Sequence, residues 1–242
     1  MAVPPGSLDF SDISPVPLSS SPSRTILTEA FNSPKLTRKF LEQISSVDKS
    51  GLPLNTAWTL WLDRFVRNAT AAEYAANLRK VYTVKTIQSF WSVFNNIPAA
   101  SKLGFRTSYH MMRGERRPVW EDDENICGGY WKMRCPKGYT DQAWKELLLA
   151  IIGEQSLNDV LADGDEIVGL SVSIRDRDDI LQIWNAKANL ASESKVLKKI
   201  SEILPQLNIE DAFYKFHRDH HAFEGQRVIS RPLGFPTSGP LK

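Results

Sequence analysis

Cysteine is nearly missing: Cys127 and Cys135 are the only two in 242 residues. Two thiols are too few for a disulfide framework, and they read as free thiols in a reducing compartment, which points to a cytoplasmic protein. The opening Met1-Ala2-Val3-Pro4-Pro5 has neither a basic region nor an apolar core of the kind a secretory leader needs. Long hydrophobic runs are also missing. The longest, around Leu147 to Ile152, suits a buried helix face and not a membrane span. Charge of one sign is scarce too: the formal net charge is +2, so no broad basic surface for long nucleic acid is implied. No Ser–His–Asp order, phosphate-binding loop, glycine fingerprint or internal repeat is visible. His217, His220 and His221 lie close together, but no matching Cys or acid spacing supports zinc, so neither a metal nor a cofactor is expected.

Tryptophan, by contrast, is abundant, with seven copies. Trp120 stands in the stretch Arg117-Pro118-Val119-Trp120-Glu121-Asp122-Asp123-Glu124, a stiffened loop with four acids in a row. An indole beside a carboxylate suits a guanine-like base. The ring stacks on the base, and the carboxylate accepts from its two Watson–Crick donors. A base carrying positive charge is held further by the indole face. The bland alternative is a Trp packed at a sheet edge beside solvated acids, and Asp122, Asp123 and Glu124 read that way.

Hydrophobic residues make up 42% of the chain and charged ones 24%, which suits a globular domain with a core. Residues 1–50 read as a mostly disordered tail, with a marginal helix at Leu36, Phe40, Leu41 and Ile44. Residues 51–223 read as the folded domain, and 224–242 as a mobile tail rich in Gly, Pro and Ser. Alternation predicts strands over 57–62, 77–82, 107–112, 130–135, 168–174, 180–184 and 213–216. Residues 66–76 read as a loop or frayed helical turn.

Helical stripes appear at Ile87, Phe90, Trp91 and Phe94, capped by Thr83 or Thr86, and at Trp144, Leu147, Leu148 and Ile151, capped by Thr140 or Asp141 and closed by Gly153. A third stripe runs through Val196, Leu197, Ile200, Ile203 and Leu204, started by Ser192 or Ser194. Hairpins of strands with three helices predict an α+β fold: a mostly antiparallel sheet with helices on one face and the other face left for a ligand.

The chain also resembles the eukaryotic translation initiation factor 4E family, which binds the 5′ cap of mRNA. The resemblance rests on Trp58-Thr59-Leu60-Trp61, Asn77-Leu78-Arg79, Phe90-Trp91-Ser92-Val93-Phe94-Asn95, Trp120-Glu121-Asp122, Gly128-Gly129-Tyr130-Trp131, Trp144-Lys145-Glu146-Leu147-Leu148, Ile152-Gly153-Glu154, and Ser173-Ile174-Arg175 with Trp184. Together these cover residues from about 52 to 217. The run Tyr109 to Pro118 and the segment His221 to Gly225 are most similar to the type 3 branch. The resemblance implies a curved eight-stranded antiparallel sheet with three helices on its convex face and the cap in the concave one.

It further implies that 7-methylguanosine stacks on Trp120, with Glu121 on the base edge, Arg175 and Arg177 on the triphosphate and Trp184 at the methyl group. The second stacking wall falls at Tyr74, where the family has Trp and the type 3 branch lacks it. Tyr130 and Ile180 stand where family members place cations, which implies a weaker phosphate grip and a smaller salt dependence. Read without the resemblance, Arg175 and Arg177 would pair with Asp176, Asp178 and Asp179 in a surface turn.

On the convex face, the implied partner is an amphipathic helix of an initiation factor 4G or 4E-binding protein. It would lie on Leu52, Pro53, Leu54, Ile87, Trp91, Glu146 and Leu149. Lys145 replaces a family leucine there, and core packing is the plain alternative for Trp91 and Leu149. The expectation is a monomeric binding module without membrane contact or enzyme chemistry of its own, acting in translation initiation or its regulation. Two rivals remain: a cap-weak regulator that competes for the 4G-type partner, and a hydrolase with a metal held at Glu121, Asp122 and Asp123.

Overall fold

The computed structural model describes residues 36–64, 71–154, 157 and 159–219. Its centre is one antiparallel sheet of seven strands: β1 Pro53–Arg64, β2 Arg79–Thr86, β3 Thr107–Arg113, β4 Gly129–Cys135, β5 Ile167–Ser173, β6 Asp179–Asn185 and β7 Phe213–Phe216. Their order across the sheet is β2-β1-β3-β5-β6-β4-β7. The fold class is the α+β one expected, but the sheet has seven strands among the described residues, not eight.

Three helices correspond to the three apolar stripes: α3 Ile87–Asn95, α4 Thr140–Ile152 and α5 Val196–Ile203. Two more precede them, α1 Arg38–Ser50 and the short α2 Ala71–Asn77. The marginal helix read from Leu36 to Ile44 is thus 13 residues long. Thr37 caps it, accepting from the Phe40 amide, and Ile44 is buried. Asp48 near its end accepts from the hydroxyls of Tyr82 (2.9 Å) and Thr86 (3.2 Å) on the edge strand β2. The packed body therefore begins upstream of residue 51. Of the expected tails 1–50 and 224–242, residues 1–35 and 224–242 lie outside the described residues.

Thr86 caps α3 with a reciprocal box: its hydroxyl takes the Ser89 amide, and Ser89 returns a bond to the Thr86 amide. The helix buries Phe90 and Val93, leaving Ile87 exposed and Trp91 half-buried at the rim. Helix α4 has no side-chain cap: Tyr139 holds the N-cap position, and Thr140, already inside the first turn, donates its hydroxyl to buried Asp179 (2.7 Å). Ser192 and Ser194 likewise cap nothing at α5; they belong to a 3-10 segment and its end.

Strand alternation divides the side chains between two faces. One carries Trp58, Leu60, Leu62, Tyr109, Met111, Trp131, Met133, Leu170, Val172, Leu181 and Ile183, and the helices bury these in the main core. The other carries a smaller cluster of Trp61, Met112, Tyr130, Val168 and Trp184. Val168 does not share a face with Leu170, as simple alternation had suggested. The pairing of β5 with β6 slips between Ile167 and Gly169, so Ile167 joins the main core instead. Gly169 permits the second cluster to close, since a Cβ there would collide with the Met112 sulfur.

Candidate functional site

The face without helices holds a cavity of about 210 Å³, lined by Asp63, Tyr74, Ser108, His110, Pro118, Val119, Trp120, Glu121, Ser173, Arg175, Gln182 and Trp184. Its floor is built by cross-strand partners: Asp63 faces Ser108, and Trp61 faces His110. Its walls come from two connections, the one carrying α2 with Tyr74 and the one from β3 to β4 with Trp120 and Glu121. Five of the six residues assigned to a base and phosphate site, Tyr74, Trp120, Glu121, Arg175 and Trp184, line this one cavity. Arg177 does not. It lines an adjoining basin, which it shares with Arg175.

Tyr74 is not a stray loop residue. Its hydroxyl approaches the Pro118 carbonyl of the Trp120 loop at 3.5 Å and interacts with the Asp63 carboxylate of the cavity lining. Burial raises its pKa well above the usual phenol range, and the negative charges of Asp63 and Glu121 add to this. At Asp63 burial works the other way, toward protonation. The neighbouring His110, with Nε2 at 3.6 Å, and bonds from Tyr74 and Ser108 outweigh it and hold the carboxyl below its ordinary value. His110 is oriented from behind by Ser171, 2.7 Å from its Nδ1. A buried anion thus sits at the cavity, a feature the sequence reading missed because Asp63 fell just past the predicted strand 57–62 and His110 looked like an ordinary member of the strand 107–112.

The Trp120 loop is clamped as well. Asn125 is buried, and its side-chain amide donates to the carbonyls of Arg117 (2.8 Å) and Val119 (2.7 Å), on the approach to Trp120. Its own carbonyl accepts from the Gly128 amide and lies 2.7 Å from His217 Nδ1. Asp122, read as solvated, instead forms a two-pronged pair with Arg117 at 2.7 and 2.9 Å. His217 is fully buried, with its ring centroid 4.7 Å from that of Trp184 and 5.7 Å from that of Tyr130. Burial depresses its pKa to about 4, against a smaller raising effect of the Asn125 carbonyl. Among the described residues no group of three His, Cys, Asp or Glu side chains could hold a metal, and His220 and His221 lie outside them.

Arg175 and Arg177 are not consumed by the acids of their turn. Asp179 takes the Arg175 backbone amide, Thr140 and Lys137, while the Arg175 guanidinium donates to the Ile174 carbonyl. On the opposite face, Leu52, Pro53, Ile87 and Leu149 are exposed, and Leu54, Trp91 and Glu146 are half-buried. Leu52 is pinned to the start of α3: its amide donates to Gln88 and its carbonyl accepts from Ile87. Glu146 lies 3.7 Å from Lys145.

An antiparallel sheet backed by helices on one face, with an aromatic, acid-edged cavity on the other, defines the class: an α+β domain with a cavity on its open face. The sequence profile of the family described as eukaryotic initiation factor 4E matches residues 53–231, and the chain belongs to that family. Among curated relatives, eukaryotic translation initiation factor 4E-1 of Glycine max is 38% identical over 153 residues. That match covers 63% of this chain and 62% of the relative. The Cucumis melo protein of the same name is 36% identical over 173 residues, 71% of each. Among solved structures, Ascaris suum eIF4E-3 with m7G cap superposes with TM-score 0.61 at 27% identity, covering 76% of this chain and 96% of that one. Caenorhabditis elegans eIF4E-3 with the 4E-binding protein Mextli and cap analog gives TM-score 0.59 at 29% identity, covering 69% and 94%. Both neighbours carry the name eIF4E-3, which is consistent with the branch to which the Tyr109–Pro118 run pointed.

Proposed function

We propose that the protein binds the 7-methylguanosine cap of mRNA in translation initiation or its regulation. The observation that carries this is the convergence of Tyr74, Trp120, Glu121 and Arg175 on one cavity. Trp120 supplies the stacking face, and the cationic methylated base strengthens that contact. Glu121 accepts from the base edge and selects guanine over adenine. Tyr74 forms the opposite wall, Trp184 closes the cavity beside the methyl group, and Arg175, followed by Arg177, takes the phosphates. An amphipathic partner helix would lie on Leu52, Pro53, Leu54, Ile87, Trp91, Glu146 and Leu149, which are exposed or half-buried on the far face. The nematode neighbour bound to a 4E-binding protein supports that second site.

Calorimetric titration with 7-methyl-GTP and GTP tests the reading. The methylated ligand should bind clearly tighter, and Trp120→Ala should weaken it by about 10- to 100-fold, given ~1–3 kcal/mol per stacked base. Equal, poor binding of both nucleotides would defeat the cap reading and leave the helix-binding face as the main function.

A further inference from the structure

Beyond Arg175 the site opens into a basin of about 600 Å³, against about 210 Å³ for the base cavity. It is lined by Phe105, Arg106, Lys132, Arg134, Arg175, Asp176, Arg177, Asp178 and Ile180. Five cations face two acids there, a local excess of three in a chain whose whole net charge is +2. Lys132 and Arg134 alternate on β4, on the face opposite buried Trp131, Met133 and Cys135. Arg134 pairs across the sheet with Ile180 and Lys132 with Gln182, which lines the base cavity. The positive charge missing at Tyr130 and Ile180 is therefore supplied by neighbours on the same pleated surface.

The cations crowd one another. Burial lowers the Lys132 pKa, and repulsion from Arg175, Lys215 and Arg134 lowers it further. An anion placed among them would relieve that repulsion. At the rim Phe105 is 55% exposed, an unusual position for a large apolar ring, with the Arg106 guanidinium 5.1 Å from its centroid. Arg106 itself adopts φ of 61°, the left-handed region that residues other than glycine seldom occupy. Its amide is held by the Ile174 carbonyl at 2.9 Å, so the strained turn is tied to the strand end that bears Arg175.

We infer that this basin binds the RNA chain that follows the cap. In it Lys132 and Arg134 take backbone phosphates, and Phe105 with Arg106 forms a platform for an unpaired base. This rests on the cap reading, because Arg175 lines both cavities and sets the direction in which the chain leaves. A positive groove with an adjacent aromatic ring is the arrangement that holds single strands without sequence preference.

The test compares 7-methyl-GTP with the same cap on a short single-stranded RNA, in the wild type, the double variant Lys132→Glu/Arg134→Glu, and Phe105→Ala. The wild type should bind capped RNA about tenfold tighter than 7-methyl-GTP. The double variant should lose that advantage, while its 7-methyl-GTP affinity falls by a smaller factor. Its salt slope on capped RNA should shrink by about 1.4, two contacts at ~0.7 each on single strands. Phe105→Ala should lose part of the advantage without a change in slope. The inference is overturned if wild-type affinity is the same for both ligands, or if the double variant keeps the advantage. Competition by a polyglutamate peptide of matched charge as strong as that by uncapped RNA would also overturn it, making the basin a general polyanion site. Should 7-methyl-GTP itself fail to bind, the cap reading fails separately. Uncapped RNA then decides the basin: weaker binding by the double variant supports it, and equal binding sinks it.

Discussion

Tyr74 shows how one residue depends on buried partners that are distant in sequence. A tyrosine face holds a cationic base less well than an indole, so its position matters more. Its hydroxyl interacts with the Asp63 carboxylate and approaches the Pro118 carbonyl at 3.5 Å, which would hold the ring in place before any ligand arrives. Asp63 is kept ionised by His110, which in turn leans on Ser171. Tyr74→Phe keeps the ring and loses the bond; Asp63→Asn keeps the shape and loses the charge. Hydrogen bonds to charged groups contribute about 1.5–3 kcal/mol, so each change should weaken 7-methyl-GTP binding by about tenfold or more. Both remove the same interaction, so the double variant should be little worse than either single one. Calorimetry on all four proteins checks this, and losses that simply multiply would mean that the two side chains act separately.

The connection between β3 and β4 poses the corresponding question for an element. It is tied to a distant residue: the Asn125 carbonyl meets His217, 92 positions on from Asn125, and His217 is packed on Trp184. His217 is neutral in the folded protein because its pKa is depressed to about 4. In the unfolded chain it titrates near 6.5. Between these values the unfolded chain takes up the proton and the folded one does not, so stability falls as pH drops through 6.5 and the loss is complete near 4. The expected size is roughly 3 kcal/mol. Urea midpoints at pH 7 and pH 4.5 should differ much less in His217→Phe than in the wild type; an unchanged difference would clear His217 of this role. The Trp120-Glu121 pair and the apolar stripes of α3 and α4 were legible in the sequence because their chemistry is local. The clamp was not, since Asn125 and His217 gain meaning only from each other. The slip at Gly169 and the extra length of α1 were hidden for the same reason: both are settled by contacts across the fold, with Met112 in one case and with Tyr82 and Thr86 in the other.

At the scale of the molecule, the sheet separates two surfaces. The base cavity and the basic basin open on one face, while the rim formed by Leu52, Ile87, Trp91 and Leu149 lies on the other, beyond the main core. That core is continuous from Trp58 through Leu148 to Val172, and close-packed interiors transmit strain only when they have a second arrangement to adopt. The Trp120 loop is tied through the Asn125 carbonyl to His217, just past β7, and so to Trp184 on the open face. Substitutions at sites this well separated act additively, within about 0.5 kcal/mol. A 4E-binding helix should therefore bind with the same affinity whether or not 7-methyl-GTP is present, within about twofold. Trp91→Ala should weaken the helix by tenfold or more, as loss of a central aromatic anchor does, and leave cap affinity within the same twofold. Titrating the peptide into free and nucleotide-saturated protein measures the coupling directly. A larger coupling in either direction would require a second packing of the core between the faces, and by linkage the nucleotide titration would have to show the same factor.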